Sequence, residues 1–149
     1  MKNRAQGWLS GLVGTQAFKS TSVGFVADDQ SNDFVVQAEW TADDGHQRGL
    51  TLYLPEREPE RKKYTYGSGD EYQASAYYVI AGKPESWQAG YVVRERADFS
   101  SGDPVNWRVM LSFSIEVAMG EGVVSISGQG EVTGAAPWGK ALRKRFAFH

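Results

Sequence analysis

Residues 107–119 constrain this chain more than any other stretch. Trp107, Val109, Leu111, Phe113, Ile115, Val117 and Met119 take every odd position, and Arg108, Ser112, Ser114 and Glu116 lie between them. A helix would scatter these apolar residues around its circumference. A strand, whose side chains point to opposite faces in turn, collects them on one side. The segment therefore reads as a long strand with one buried face, running across the whole domain.

Shorter segments repeat the pattern. Phe34, Val36, Ala38 and Trp40 alternate with Val35, Gln37, Glu39 and Thr41; Leu50, Leu52 and Leu54 alternate with Thr51 and Tyr53 before Pro55. Tyr72, Ala74, Ala76, Tyr78 and Ile80 form another set, then Trp87, Ala89, Tyr91 and Val93, then Val124, Ile126, Gly128, Gly130 and Val132. Val23 and Phe25 mark an early strand, and Phe146 and Phe148 close the chain. Turn chemistry separates these runs: the polar 28–33 stretch, Asp43-Asp44-Gly45, Gly82-Lys83-Pro84, Ser101-Gly102-Asp103-Pro104 and Gly120-Glu121-Gly122. Such residues stabilise tight turns, and strands joined by tight turns run antiparallel. Residues 56–63 hold no apolar side chain and read as an exposed loop of mixed charge. Residues 1–14, broken by glycines, read as a short helix or a coil. The whole of 1–149 reads as a single domain.

Composition narrows the chemistry. There is no cysteine, which excludes disulfides, thiolate nucleophiles and cysteine-ligated metals. Net charge is −2, from 16 basic and 18 acidic residues, so no global field draws in nucleic acid or an anionic membrane. No apolar run has the length of a membrane helix. The N-terminal stretch is too polar for a signal-peptide core, and the expectation is a soluble, cytoplasmic protein without a membrane partner; a leader removed from the natural gene would overturn it.

Each candidate site has a plainer reading beside it. The 28–33 loop is rich in carboxylates, as calcium requires, but its Gln30 and Asp33 break the EF-hand frame that Asp28, Asn32 and Glu39 suggest, so no metal is assigned. His46, beside Asp43 and Asp44, could form an acid–base pair with a carboxylate, but no serine stands in a Gly-x-Ser-x-Gly nucleophile elbow, and His46 and His149 are too few for a three-histidine zinc site. Glu39, Glu116 and Glu131 sit on polar strand faces and would serve as a glycosidase-type pair only if two met in a groove; no catalytic residue is assigned. Gly128 and Gly130 mark close backbone approach or space for a large neighbour such as a tryptophan, and no phosphate loop or other cofactor site is read from the glycines. Lys140, Arg143, Lys144 and Arg145 form a basic cluster that an edge strand explains as well as a nucleic-acid contact does; nucleic acid is not the favoured partner. The aromatic residues, 13% of the chain, are more than core packing needs. Tyr53 and Tyr77 fall on the polar side of their strands. Together with Glu39 and Arg108 they are the candidate contacts for a ligand or protein partner.

Gly7-Trp8 ahead of the first strand resembles the opening of lipocalin-type barrels, although their Gly-x-Trp places one residue between the two. The likeness covers only these residues; it implies a closed barrel around a small apolar ligand. Gly130, Val132 and Gly134 followed by Phe146 and Phe148 look like small bacterial β-domains of unknown function, which implies a fold type alone.

The expected fold is an all-β, antiparallel, two-sheet β-sandwich of about eight strands, with a closed calycin-like β-barrel as the alternative. The expected function is a non-catalytic binding or protein-interaction domain, of which a bacterial immunity or inhibitor protein is one concrete form. A lipocalin-like carrier of a small apolar ligand and a carbohydrate-acting enzyme using strand carboxylates are the alternatives. A carrier needs a cavity of roughly 300 Å³ or more. An interaction domain needs an exposed apolar patch over a filled core, and an enzyme needs close carboxylates in a cleft, one with a perturbed pKa.

Overall fold

The computed structural model describes residues 5–28 and 30–137. Eleven strands follow one another: β1 (Gln6–Val13), β2 (Gln16–Ser20), β3 (Ser22–Ala27), β4 (Phe34–Thr41), β5 (Gln47–Leu54), β6 (Lys62–Thr65), β7 (Ser75–Ile80), β8 (Lys83–Asp98), β9 (Arg108–Met119), β10 (Gly122–Thr133) and β11 (Ala136–Pro137). A short 3₁₀ turn, Pro104–Asn106, precedes β9. The strands hydrogen-bond in the order β11-β3-β4-β5-β7-β8-β9-β10-β1-β2, with β6 on β8. All pairings are antiparallel except the two-residue match of β11 with β3.

The all-β antiparallel class stands, and of the two expected architectures the connectivity matches the barrel. Two features make it so. The 16-residue β8 pairs with β7 through residues 83–86 and with β9 from Trp87 onward, so it carries the sheet around a corner instead of ending it. At the other side β2 and β3 are separated by Thr21 alone, yet β2 pairs with β1 and β3 pairs with β4. The Ser20 hydroxyl holds this bend by donating to the Glu39 carbonyl and accepting from the Ser22 amide. One bent strand thus joins the two ends of the ladder and leaves a seam between β2 and β4.

The period of two places the core as expected in β9. Val109, Leu111, Phe113, Ile115 and Val117 are buried, while Arg108, Met110, Glu116 and Ala118 are exposed. Leu9, Phe25, Phe34, Leu50, Leu52 and Ile126 face them. At one end of the barrel Phe25, Phe34, Phe99 and Trp107 make successive ring contacts at 5.4–5.8 Å, and the Arg57 guanidinium lies 5.0 Å from the Trp107 ring. That end is closed by the 55–61 segment.

Four local readings are corrected. Residues 6–13 form a strand, not a helix or coil, because Gly7 and Gly11 lie where β10 approaches too closely for any side chain: a Cβ on Gly11 would sit 1.9 Å from the Ser127 carbonyl oxygen. The alternation Trp87, Ala89, Tyr91, Val93 fails after Trp87. A bulge between Trp87 and Ala89 shifts the register by one, so Val92 and not Tyr91 joins the core. The 56–63 stretch is not wholly an exposed loop, since Lys62 and Lys63 begin β6 and Glu56 is half-buried beneath them. The tight turn after β7 is Ala81-Gly82, and Lys83 and Pro84 already belong to β8. Gly128 does make room for a large neighbour, and the neighbour is Phe113, 3.0 Å from where a Cβ would stand. No helix of the described residues is long and apolar enough to cross a membrane.

Candidate functional site

The open end of the barrel carries the best-built recess. Phe18 on β2, Trp40 on β4, Arg48 on β5 and Tyr78 on β7 occupy inward positions near one end of the sheet. Where β2 and β4 splay apart after Ser20, no ladder hydrogen bond joins them among the described residues; Phe18 and Trp40 stack instead, centroids 4.2 Å apart and planes 13° from parallel. Tyr78 continues the stack from the far side of Trp40 at 6.5 Å. Aromatic faces therefore do at this seam what backbone pairing does elsewhere, and they leave a space of about 470 Å³ beside them.

The rim is polar. Gln16 and Lys19 come from the β1–β2 hairpin, and Thr41, Asp43 and Asp44 from the β4–β5 hairpin. The Gln16 side chain donates to the Asp43 carboxylate, so the two hairpins are tied across the mouth of the seam. Beneath them the Arg48 guanidinium, its side chain 14% exposed, meets Asp44 at 2.6 Å. The His46 amide and then Arg48 hold the Asp44 carboxyl below the usual carboxylate range. Asp44 is thus a fixed anion and not a proton donor. Burial pushes the Tyr78 hydroxyl upward against the opposing pull of Arg48, so it stays a neutral phenol.

Other recesses of similar volume, about 400–490 Å³, lie elsewhere on the barrel. Volume does not separate them from the seam. Position does: the seam recess lies in the barrel mouth, where small ligands characteristically bind, and it holds the paired Arg48 and Asp44.

The expected contact residues are placed differently. Tyr53 and Tyr77 do share the outer face of adjacent strands, since Tyr53 opposes Ser75 and Thr51 opposes Tyr77. They form no open platform. Tyr77 is only 4% exposed, and Tyr53 donates its hydroxyl to Asp33 while its ring packs on Val26 and Val35. Burial, then the Asp33 carboxylate, raises the Tyr53 pKa. Glu39 lies on the same outer face and accepts from Gln47 at 3.4 Å. Arg108 is on the opposite wall beside Glu131, 3.6 Å away. The four do not converge.

Nor do the three strand carboxylates. Glu131 is level with Met110 on β9, six residues from Glu116, which is roughly 20 Å along a strand. Glu39 stands on the other half of the barrel. The 28–33 loop is knit by turn bonds, with Asp28 accepting from the Gln30 amide and the Ser31 hydroxyl at 3.0 Å each. Among the described residues no three His, Cys, Asp or Glu side chains gather as a metal site. Trp138, the basic cluster of Lys140, Arg143, Lys144 and Arg145, the phenylalanines Phe146 and Phe148, and His149 lie outside the described residues.

The sequence did hold a signal for the seam site. Arg48 shares the parity of Leu50, Leu52 and Leu54, so a cation stood on an inward position, flanked in the alternation by inward Trp40 and Tyr78. What was not readable is that β2 swings Phe18 against Trp40, because that contact depends on the bend at Thr21. No protein-family model matches the chain, and neither a curated protein nor a solved structure is similar to it.

Proposed function

We propose that this domain is a non-catalytic binding protein whose ligand is a small molecule with one flat apolar face and a hydrogen-bond-accepting group. The observation that carries the reading is the Phe18–Trp40 stack at the seam, open to a space of about 470 Å³ and floored by Arg48. A flat ring extends the aromatic stack, gaining roughly 0.5–1.5 kcal/mol per ring contact beyond area burial. An acceptor group on the ligand meets the remaining N–H groups of Arg48, whose orientation Asp44 already fixes. The polar tie between Gln16 and Asp43 covers the mouth.

This is nearer to the carrier than to the interaction domain among the expected functions. Among the described residues buried side chains such as Leu9, Phe25, Leu52, Phe113 and Ile126 occupy the interior, so the ligand is assigned to the mouth and not to a central cavity. The outer face at Tyr53 and Tyr77 supports a protein partner less, because Tyr77 is buried there. The carbohydrate-acting alternative finds less support, because Glu39, Glu116 and Glu131 do not converge.

Anilinonaphthalene sulfonate, an anion with a flat naphthalene face, is a direct probe. The expectation is saturable binding with quenched tryptophan emission, weakened about tenfold or more, roughly 1.4 kcal/mol, by Trp40→Ala and separately by Arg48→Met. Unchanged binding in both folded variants refutes the site.

A further inference from the structure

A second recess has the opposite chemistry to the seam. It lies where β8 leaves β7 for β9, at the bulge after Trp87, and has a volume of about 440 Å³. Its walls include Tyr66, Gln73, Ser75, Tyr77, Ser86 and Trp87, and among the described residues no charged one lines it. The seam recess, by contrast, holds Lys19, Asp43, Asp44 and Arg48, and the recess beside Arg108 holds Arg96, Asp98 and Glu131. The recess beside Ser10, Tyr91 and Gln129 is uncharged as well; the present one differs in carrying Tyr66 and Trp87 edge to face.

Tyr66 is 46% exposed, yet it is held in place. Its amide donates to the Gly90 carbonyl at 2.9 Å, and its ring stands edge-on to Trp87 at 5.3 Å and 85°. Gly90 has φ +108°, and a Cβ there would lie 2.1 Å from the Ser114 carbonyl oxygen, so only glycine can present that carbonyl to Tyr66. The Gln73 amide is oriented by donating to the Asp70 carbonyl at 3.1 Å. The result is a pre-positioned aromatic ring with an amide and two serine hydroxyls around it.

We infer that this recess binds a neutral saccharide. A sugar ring has one face of C–H groups, which packs on an aromatic ring, and an equatorial belt of hydroxyls that both donate and accept. Serine hydroxyls and a glutamine amide also do both, whereas a lining of carboxylates or cations would select ionic ligands. The site is separate from the seam, and neither depends on the other.

The test titrates the full chain with cellotetraose, maltotetraose and chitotetraose, using tetragalacturonate as the anionic control, and follows amide and indole signals by NMR. At least one neutral tetramer is expected to bind with Kd on the order of 0.1–1 mM and to shift the Trp87 indole and Gln73 side-chain signals. Tyr66→Ala is expected to weaken it about tenfold or more, Tyr66→Phe to retain it, and Trp40→Ala at the seam to leave it unchanged. The inference is overturned if no neutral tetramer binds below about 10 mM, if tetragalacturonate binds as well as the neutral ones, or if Tyr66→Ala binds like the parent. Unchanged probe binding in Trp40→Ala and Arg48→Met, with sugar binding intact, would refute the seam reading and leave this one standing.

Discussion

Arg94 is the largest side chain with almost no exposure, 2%, and replacing it with methionine tests how the closed end of the barrel is held. It sits on β8 on the same side as Val92 and opposite Leu111, a position that alternation reserves for an apolar residue. Its Nε donates to the Glu60 carbonyl at 3.0 Å, and its Nη1 donates to the Glu56 carbonyl and to the Tyr64 hydroxyl, both at 2.8 Å. Two of these bonds fasten the 55–61 segment across the barrel end, and the third ties Arg94 to Tyr64 on β6. Each hydrogen bond from a charged donor contributes roughly 1.5–3 kcal/mol. Three would sum to about 5–9 kcal/mol, but that total is an upper bound: water reaches the freed Glu60 carbonyl at the surface, and the methionine gains apolar burial worth about 1–2 kcal/mol. The net expectation for Arg94→Met is a loss of about 3–4 kcal/mol, in the range for removing one member of a buried polar set. With a urea slope of about 2 kcal/mol/M, the midpoint should fall by about 1.5–2 M at unchanged slope. Arg94→Lys should lose nearly as much, since a single ammonium cannot serve acceptors on both Glu56 and Glu60 in the fork geometry. A change under about 1 kcal/mol for Arg94→Met would mean that desolvation cancels the bonds, and the anchoring argument would be wrong.

Three further outcomes are expected. Gly128→Ala should cost about 3 kcal/mol or more in chemical denaturation, because its Cβ would stand 2.2 Å from the Ser10 carbonyl oxygen and 3.0 Å from Phe113, whereas Gly102→Ala, with nothing within 4 Å, should be neutral or stabilising by about 0.5 kcal/mol. For Glu56, burial alone would raise the pKa, but hydrogen bonds from Lys62 and Tyr64 outweigh it and hold the carboxyl below 4.5. A depressed pKa means that this stabilisation is complete above pH 4.5 and is lost as pH falls through the folded value, so Glu56→Gln should flatten the acid limb of a stability–pH curve and leave the neutral limb parallel to the parent's. Tyr53→Phe should cost about 1 kcal/mol in thermal or urea melts by removing the bond to Asp33, and clearly less than Tyr53→Ala, which also strips the cover from Val26 and Val35; equal losses would show that the ring does not pack there.

Much of the fold was legible because side-chain direction in a strand is a local property. The odd residues of 107–119 needed no partner to declare themselves, and neither did Leu50, Leu52 and Leu54. Legibility ended where backbone geometry departed from that period. The bulge after Trp87 reversed the parity of β8, and nothing in Ala89, Tyr91 and Val93 announces it except Gly90, whose positive φ is imposed by Ser114 on the neighbouring strand. Tyr77 was rightly placed on the outer side, but whether an outer residue is exposed depends on what lies over it, and that is not a property of its own strand.

The sequence by itself determined which face of each strand is apolar, where most of the turns fall, and that thiol chemistry is absent, since all three follow from residue type and near neighbours. The tertiary structure alone decided that the sheet closes through a bend at Thr21, that Phe18 meets Trp40 across a seam without a ladder, and that Arg94 belongs inside. Those contacts join residues far apart in the chain, and each is favourable only once the barrel has brought its partners within reach.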